Sequence, residues 1–382
     1  MIAVLGDTIL VVSGIGSALL GWALLLGRRL QRTATTGLDS GAPMPAVTLL
    51  KPLHGAEPQL AANLASFLVQ DYAGTVQTVY GIQHADDPAG AVAVALCEAH
   101  PAADLALIVD PRRHGSNPKV ANLVNLALYA THDIIVVSDS DIAVTPDYLR
   151  RIVAALAAPG VGAVTCLYHG RGDAGRWSRL AAMGIDLHFL PAALIGLGTG
   201  LAHPCMGSTI ALGRETLERI GGFAAVADTL ADDHAIGVAV RALGLRVVVP
   251  DLMVTHACVE PSLAALVRHE LRWNRTVLAI DPAGHAGSIV LHPFPLALIA
   301  GLLLGFPPPT WLAAIVAIVL RGCMAWRRRD AYGASVIALV PVRDLLSFAM
   351  FSAAFFVRSV DWRGRRLRLE DGRISAKTEI SA

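Results

Sequence analysis

Charged residues are scarce in this sequence. Of its 382 residues only 16% are Asp, Glu, Lys or Arg, whereas 54% are hydrophobic. Ordinary soluble domains contain about 25% charged residues, and disordered chains are more polar still. The composition therefore excludes a disordered protein and predicts attachment to a membrane. The net charge of +1 leaves no basic stripe of the kind that nucleic-acid-binding domains carry, so nucleic acid is excluded as a partner.

Cysteine is also scarce, and repeats are absent. The five cysteines are odd in number and include no Cys-x-x-Cys pair, whereas zinc sites and disulfide frameworks need paired or even-numbered sets. We therefore expect buried free thiols in a reducing compartment. The 35 glycines and 21 prolines follow no fixed period, which excludes a repeat architecture.

The first long uncharged run covers Thr8 to Gly27. About 20 helical residues cross the hydrocarbon core of a bilayer, so we predict a transmembrane anchor over residues 1–32. No basic segment or cleavage site accompanies it, and a removable signal peptide is not expected. The run is followed by Arg28, Arg29 and Arg32. Because basic residues favour the cytoplasmic side, we expect the following domain to be cytoplasmic.

Apolar runs return over residues 286–357. A membrane hairpin is predicted over 289–326, with Pro307, Pro308 and Pro309 forming its turn. The hairpin ends in three consecutive arginines, which favours its return to the cytoplasmic side.

A last apolar segment covers residues 334–357 and precedes a basic cytoplasmic tail, 358–382. About 24 residues are too few for two crossings, and one crossing would put the tail on the side opposite the preceding arginines. We therefore expect a re-entrant segment broken near Pro341, Arg343 and Asp344. A plain fourth span is the alternative.

The middle of the chain, residues 33–285, alternates strand-like and helix-like patterns. The predicted strands cover 46–50, 76–82, 105–109 and 134–137, and the predicted helices cover 59–69, 89–100 and 119–130. Such alternation specifies a parallel sheet with helices on both faces. Ligands bind beyond the carboxyl ends of the strands in these sheets, so the residues that follow each strand are the informative ones.

Acidic residues follow two of these strands. Asp86 and Asp87 follow the second, and Asp139 and Asp141 follow the fourth. An Asp-x-Asp pair at a strand end suits Mg²⁺ or Mn²⁺, because two carboxylates leave several metal positions free for substrate phosphates. The alternative is a solvated loop in which Asp141 caps the next helix.

Two further clusters carry chemistry. Asp232 and Asp233 open a predicted helix, where Asp233 is a candidate general base and simple capping is the alternative. Arg272 and Arg275, three residues apart on one helical face, suit a diphosphate, and Trp273 between them suits a sugar ring or the bilayer edge. An amphipathic helix at the membrane surface would explain the same residues.

Taken in order, these motifs resemble the ceramide glucosyltransferase family of inverting glycosyltransferases. The resemblance rests on Lys51-Pro52-Leu53-His54-Gly55, Asp86-Asp87-Pro88-Ala89, Asn117-Pro118-Lys119, Asp139-Ser140-Asp141, Asp232-Asp233 and His269-x-x-Arg272-Trp273. Each motif alone is weak, whereas their joint order is specific and extends to Trp362-Arg363-Gly364-Arg365. The bacterial branch that glycosylates bacteriohopanetetrol is the most similar.

The resemblance implies a GT-A fold, in which a mixed α/β sheet flanked by helices binds a nucleotide sugar, with transmembrane helices at both ends. It implies a UDP-sugar donor and Mg²⁺ or Mn²⁺. Asp87 would contact uridine, Asp139 would belong to the metal motif, Asp233 would be the base, and Arg272-Trp273 would be the final motif. Two positions depart from the family pattern: His269 replaces the usual Gln or Arg, and the animal ceramide enzymes have Gly in place of Asp141.

The expected activity is therefore transfer of a hexosyl unit from a UDP-sugar to a lipid hydroxyl at the inner membrane of a bacterium. N-acetylglucosamine and bacteriohopanetetrol are favoured, and UDP-glucose with ceramide is the alternative. Lys119 is expected to face a phosphate or to lie on the surface. A processive polysaccharide synthase, a glycoside hydrolase and a non-enzymatic lipid-binding protein are the rival interpretations.

Overall fold

The computed structural model describes residues 1–33, 44–357, 359–362, 365–370 and 373–376. Arg358, Arg363 and the last six residues of the predicted basic tail lie outside this range, as do residues 34–43. The side chains of Arg29 and Arg32 are also outside the described part of the chain.

Thirteen strands are found in the described ranges. They are β1 (Val47–Pro52), β2 (Val76–Ile82), β3 (Asp104–Val109), β4 (Ile134–Val137), β5 (Ile142–Ala143), β6 (Val161–Val164), β7 (Leu167–Gly172), β8 (Ile210–Gly213), β9 (Arg246–Val248), β10 (Met253–Cys258), β11 (Ser359–Trp362), β12 (Arg365–Glu370) and β13 (Arg373–Ala376).

The helices of the same ranges surround and connect these strands. They are α1 (Ile2–Thr33), α2 (Leu60–Ser66), α3 (Pro88–Ala99), α4 (Pro118–Ala127), α5 (Tyr148–Leu156), α6 (Arg176–Gly184), α7 (Leu190–Thr199), α8 (Arg214–Arg219), α9 (Asp232–Ala242), α10 (Leu263–Ile280), α11 (Pro282–Gly287), α12 (Pro293–Leu304), α13 (Pro308–Trp326), α14 (Arg329–Tyr332), α15 (Ala334–Ile337) and α16 (Val340–Ala353). A π-helical turn, Ile185–Phe189, joins α6 to α7, and two 3-10 turns cover Phe223–Val226 and Ser288–Leu291.

The central sheet has seven strands in the order β3-β2-β1-β4-β8-β6-β9. β1, β2, β3 and β4 are parallel, whereas β8 runs antiparallel to both β4 and β6. The predicted α/β class, a mixed sheet flanked by helices and with apolar helices near both ends of the chain, is confirmed. Because the four predicted strands are parallel, their carboxyl ends lie at the same edge of the sheet. Val79, Val136 and Leu212 are fully buried in the sheet.

A smaller sheet continues this edge. β10 pairs in parallel with β7 and antiparallel with β5, which begins one residue after Asp141. β10 therefore lies beside the predicted metal motif. Near the end of the chain, β11, β12 and β13 form a separate antiparallel sheet where the sequence predicts only a basic tail.

Three described helical stretches are long and apolar enough to cross a membrane: Ile2–Arg28, Arg176–Thr199 and Pro308–Trp326. A fourth candidate is the pair Pro282–Leu291 and Pro293–Leu304, which is bent by 71°. The predicted hairpin thus contains one straight long helix, α13, and one short helix, α12, that follows a sharp bend. The stretch Arg176–Thr199 lies inside the predicted cytoplasmic domain and is the most buried of the three.

α1 and α12 pack antiparallel through glycines. A Cβ atom added to Gly6 would meet the Leu304 side chain at 2.6 Å, and one added to Gly16 would meet the carbonyl oxygen of Val290 at 2.0 Å. Ser13 donates a hydrogen bond of 2.8 Å to the carbonyl oxygen of Pro293. Small residues let helices approach closely where the lipid offers no hydrophobic driving force, so these positions fix the contact.

Two buried ion pairs attach α16 to the rest of the molecule. Arg321 on α13 is fully buried, with its Nε 3.1 Å from Asp344 Oδ1, and His188 Nε2 approaches the same oxygen at 3.0 Å. Arg343 contacts Glu270 on α10 with both terminal nitrogens, at 2.7 and 2.8 Å. α16 has 14 residues, fewer than the roughly 20 that a span needs.

All five cysteines are free thiols. Cys166, Cys205 and Cys258 are buried and Cys97 is half-buried. Cys323 on α13 is exposed, so the expectation of a buried thiol is wrong at that position.

Candidate active site

Lys119 lies at the centre of an acidic cluster. Asn117 caps α4 by accepting hydrogen bonds from the backbone N–H groups of Lys119 and Val120, and Pro118 occupies the first helical position, where its missing N–H costs nothing. This start of the helix directs the Lys119 side chain inward. Its Nζ lies 2.7 Å from Asp139 Oδ1 and 3.3 Å from Asp232 Oδ2. Burial opposes the charge of Lys119, yet the surrounding carboxylates raise its pKa above the ordinary value.

Asp233 opens α9 beside this cluster. Its Oδ2 accepts a hydrogen bond of 2.8 Å from the backbone N–H of Gly207, and its Oδ1 accepts one of 2.7 Å from the N–H of His234. Burial raises the pKa of Asp233 despite the opposing charge of Lys119. For its neighbour Asp232, burial raises the pKa to about 6. A carboxylate of raised pKa is a stronger base than an ordinary one.

Gly207 marks the point where these side chains converge. A Cβ atom at this glycine would lie 2.8 Å from Asp139 Oδ2, 2.9 Å from Lys119 Nζ and 3.6 Å from Asp233 Oδ2. The structure therefore brings Asp139, Lys119 and Asp233 together around one position that only glycine leaves open.

Lys51, in β1, holds the Asp139–Asp141 turn through hydrogen bonds. Its Nζ donates to the carbonyl oxygen of Asp139 at 2.7 Å and to Ser138 Oγ at 3.2 Å, and it lies 3.7 Å from the centre of the Phe67 ring. Burial lowers the pKa of Lys51 to about 7, against the opposing effects of Asp139 and Asp141. The sequence signal for this residue is a lysine at the end of an apolar strand.

Asp87 lies apart from the cluster. It caps α3 and accepts hydrogen bonds from the N–H groups of Ala89 and Gly55 at 2.9 and 2.8 Å, and His54 Nδ1 approaches it at 3.0 Å. Partial burial alone would raise the pKa of Asp87, but these bonds lower it. A small cleft lined by both His54 and Lys119 connects its surroundings to the cluster.

Trp273 on α10 is held between two histidine rings. The ring of His269 meets Trp273 edge-on at 4.5 Å, and the ring of His256 meets it edge-on at 5.7 Å. His269 Nδ1 forms a short contact with the carboxylate of Glu260. Burial would raise the pKa of Glu260, but the contact with His269 lowers it. The histidine that departs from the family pattern thus orients the tryptophan of the final motif.

Arg272 and Arg275 on α10 are both half-buried. The carbonyl oxygen of Arg272 accepts a hydrogen bond of 2.8 Å from Thr276 Oγ1. Within the described ranges the Nε of Arg275 is enclosed without a hydrogen-bond partner, and its charge acts on His285 of α11. Arg275 therefore lies towards the membrane helices, and its diphosphate role stays a prediction.

The model of glycosyl transferase family 21 matches residues 8–375. The chain belongs to this family. The predicted enzyme class, sugar transfer, is that of family 21, and the resemblance to ceramide glucosyltransferases is confirmed at this level.

The curated relatives include ceramide glucosyltransferase 1 of Caenorhabditis elegans. It is 22% identical over a region that covers 69% of this chain and 55% of the relative's length. The ceramide glucosyltransferase of Komagataella phaffii is 32% identical over 29% of this chain and 22% of its own length. The chain thus spans about half the length of the first relative and about a fifth of the second.

Among solved structures, a mannosyltransferase from Pyrobaculum calidifontis in complex with GDP-Man and Mn²⁺ is 21% identical, with a TM-score of 0.48, and covers 91% of this chain and 99% of its own. Glucosyl-3-phosphoglycerate synthase from Mycobacterium tuberculosis in complex with Mn²⁺ and UDP-Glc is 18% identical, with a TM-score of 0.39, and covers 61% of this chain and 78% of its own.

The residues at the predicted metal motif fit a divalent cation. Among the described residues Asp141 Oδ1 is buried without a hydrogen-bond partner, and Asp141 Oδ2 lies 3.3 Å from His256 Nε2. A carboxylate and an imidazole are ligands that Mn²⁺ accepts. In the part of the chain that the structure describes, no three acidic, histidine or cysteine side chains form a complete cage, as for cations that take their remaining ligands from substrate phosphates.

Sequence reasoning assigned no role to His256 or Glu260, and it named Lys51 only as part of the first family motif. His256 is a single histidine in a short strand, and its place beside Asp141 depends on the pairing of β10 with β5. Only the tertiary structure brings His256 to the metal motif, so the linear sequence has no local signal for it.

Proposed function

We propose that this chain is a membrane-bound inverting glycosyltransferase that moves a hexosyl unit from a UDP-sugar to a hydroxyl group of a membrane lipid. The observation that carries the proposal is the convergence of Asp139, Lys119 and Asp233 at Gly207. A half-buried base of raised pKa and a half-buried cation, side by side, suit a reaction in which one oxygen loses a proton while a diphosphate leaves.

In this proposal Asp233 accepts the proton of the lipid hydroxyl as that oxygen attacks the anomeric carbon from the side opposite the diphosphate. General base catalysis of this kind typically contributes about 10²- to 10⁴-fold. Direct displacement in one step inverts the configuration at that carbon. The raised pKa of Asp233 suits it to accept the proton.

The leaving diphosphate needs positive charge. Lys119 supplies a cation inside the cluster, and Arg272 and Arg275 of α10 are the proposed diphosphate ligands, because arginine pairs well with phosphate oxygens. Asp87 would contact the uridine at the mouth of the cleft, and Trp273 would face the sugar.

Asp139 and Asp141 would hold Mg²⁺ or Mn²⁺, with His256 as a further ligand. When bound, the cation would stabilise the negative charge of the departing UDP as a Lewis acid. Lys51 keeps the motif in place by bonding the carbonyl oxygen of Asp139.

We propose a lipid acceptor because apolar helices lie on both sides of the catalytic domain in the sequence. The proposed domains are an anchor (1–32), a catalytic domain (33–285) on the cytoplasmic side of the bacterial inner membrane, membrane segments (286–357) and a tail (358–382). Arg28 lies where the apolar stretch of α1 ends, and Arg327, Arg328 and Arg329 directly follow α13. Basic residues at the same end of two helices favour the proposed orientation.

Two acceptor and donor pairs remain candidates. The names of the curated relatives favour ceramide with UDP-glucose, whereas the resemblance of the motifs favours bacteriohopanetetrol with UDP-N-acetylglucosamine. We propose to test both with purified protein in detergent, Mn²⁺ or Mg²⁺, a panel of UDP-sugars and the two lipids, and to read the product by mass. Transfer to water alone would contradict the proposal and favour a hydrolase.

The base is tested by Asp233→Asn. Transfer is expected to fall at least 10²-fold while UDP binding, measured by calorimetry, changes less than threefold. Asp133→Asn is the matched control, because the Asp133 side chain is 96% exposed and far from α9 in sequence. If Asp233→Asn transfers sugar at the wild-type rate, Asp233 is not the base.

A further inference from the structure

A second cavity, of about 730 Å³, lies between helices α1 and α7 and the sheet. Its walls come from α1 and α7 on one side and from the end of α9, β9 and the loop before β8 on the other. It contains none of the residues that converge at Gly207. Its volume is within the range of pockets that bind ligands of drug size.

One wall of this cavity is apolar and comes from the membrane anchor α1 and the apolar helix α7. Leu26 comes from α1, and Leu194 and Leu197 come from α7. Leu26 is two residues before Arg28, where the apolar stretch of α1 ends. The wall therefore lies at the depth where a bilayer's hydrocarbon meets its headgroups.

The facing wall is positively charged. Arg241, Arg246 and His203 line it, together with a single acidic residue, Asp251. In residues 44–357 neither arginine forms an ion pair with a carboxylate: Arg246 donates to the carbonyl oxygen of Pro159 at 2.7 Å, and Nη1 of Arg241 is enclosed without a partner. Two guanidinium groups without counter-ions opposite a leucine wall match an amphiphile with an anionic headgroup.

We propose that this cavity binds one anionic phospholipid. Its headgroup phosphate would lie towards Arg241 and Arg246, and its acyl chain would lie along Leu26, Leu194 and Leu197. The positive wall disfavours a lipid without net charge. Free phosphate has no apolar part that could pack against the leucine wall.

A lipid in this cavity would contact the loop that leads to the active site. The loop between α7 and β8 contributes Ala202, His203 and Pro204 to the cavity and continues to Gly207, which bonds Asp233. Leu201 in this loop is 86% exposed, as expected of a side chain that meets lipid. A bound phospholipid would brace the loop that positions the carboxylate of Asp233.

The full chain, purified in a neutral detergent, is incubated with equal amounts of phosphatidylglycerol and phosphatidylcholine, and retained lipid is measured by native mass spectrometry. We expect retention of one phosphatidylglycerol. Arg241→Gln combined with Arg246→Gln should lower this retention at least fivefold, and Leu197→Trp, which fills the cavity without changing charge, should do the same. Arg219→Gln, an exposed arginine on α8, is the matched control and should retain lipid like the wild type.

Equal retention of the two lipids, or unchanged retention in both cavity variants, would overturn the proposal. Displacement of the lipid by soluble glycerol 3-phosphate would also overturn it, because the site would then recognise phosphate alone. Circular dichroism spectra identify any variant that does not fold, and the remaining cavity variant then decides. Lipid retention does not depend on sugar transfer, so the proposed function fails or stands separately.

Discussion

The charge of Lys119 is the feature whose removal has the most calculable effect. Its Nζ is 2.7 Å from Asp139 and 3.3 Å from Asp232. At an effective dielectric constant of about 20, these distances correspond to attractions of about 6 and 5 kcal/mol before the cost of desolvation. Removing one partner of a buried pair typically destabilises a protein by about 3–5 kcal/mol. Lys119→Met should therefore destabilise the fold, and the loss should depend on pH.

The direction of the pH dependence follows from Asp232. Its pKa in the folded protein is about 6, above the ordinary 3.8, so its favourable contribution is fully present below pH 3.8 and is lost as pH rises through 6. Without Lys119 the folded pKa rises further, and the loss continues between pH 6 and pH 8. If the pKa rises by about two units, at 1.36 kcal/mol per unit, the variant loses about 2 kcal/mol more than the wild type over this interval.

The assay is denaturant unfolding of the full chain in detergent, followed by circular dichroism at pH 6 and pH 8. The free-energy gap between Lys119→Met and wild type should be wider at pH 8. Lys119→Arg, which keeps the charge, is the control, and adding Asp232→Asn to Lys119→Met should remove the pH dependence. A gap of equal size at both pH values would refute the electrostatic explanation of the cluster.

Three further predictions follow from contacts described above. Arg343→Met leaves Glu270 without its partner and should destabilise the protein by about 3–5 kcal/mol, whereas adding Glu270→Gln should restore part of this loss; both are measured by denaturant unfolding. Gly207→Ala places a methyl group 2.8 Å from Asp139 Oδ2, and transfer should fall by about 10²-fold, since small displacements of reacting groups have effects of this size. His256→Ala should weaken Mn²⁺ binding in the presence of UDP by at least tenfold, measured by calorimetric titration.

Each of these has a contradicting result. An Arg343→Met protein as stable as the wild type would mean that the pair with Glu270 contributes nothing to folding. Full transfer by Gly207→Ala would mean that the cluster tolerates displacement. Unchanged Mn²⁺ affinity in His256→Ala would remove the histidine from the proposed metal site, with His132→Ala as the control for loss of an imidazole elsewhere.

The strands that lead to the site are predictable because each is a short apolar run ended by polar residues. The predicted bounds of β2 and β4 agree with the structure, and those of β1 and β3 differ by one or two residues. The meeting of Asp139 with Lys119 follows from the same logic, because carboxyl ends of parallel strands share an edge. The antiparallel direction of β8 does not follow, since no local pattern encodes how the chain returns after α7.

The helical stretch Arg176–Thr199 was harder to foresee. Asp186 and His188 interrupt its apolar pattern, and these polar side chains are compatible with a buried helix only because distant residues contact them. Asp186 contacts Tyr332 and Arg328, and His188 contacts Asp344. The partners lie more than 140 residues away along the chain, so the sequence pattern alone does not identify them.

The pairing of Arg321 with Asp344 bears on how this chain can be divided. A version that stops after α13 would leave the fully buried guanidinium of Arg321 without its carboxylate partner, Asp344. A version that replaces α13 and α16 with generic apolar helices would leave Glu270 without Arg343 and His188 without Asp344. The C-terminal helices are thus not an interchangeable tether. A soluble version that lacks the apolar C-terminal helices would first require redesign of Glu270 and His188, whose partners lie on α16.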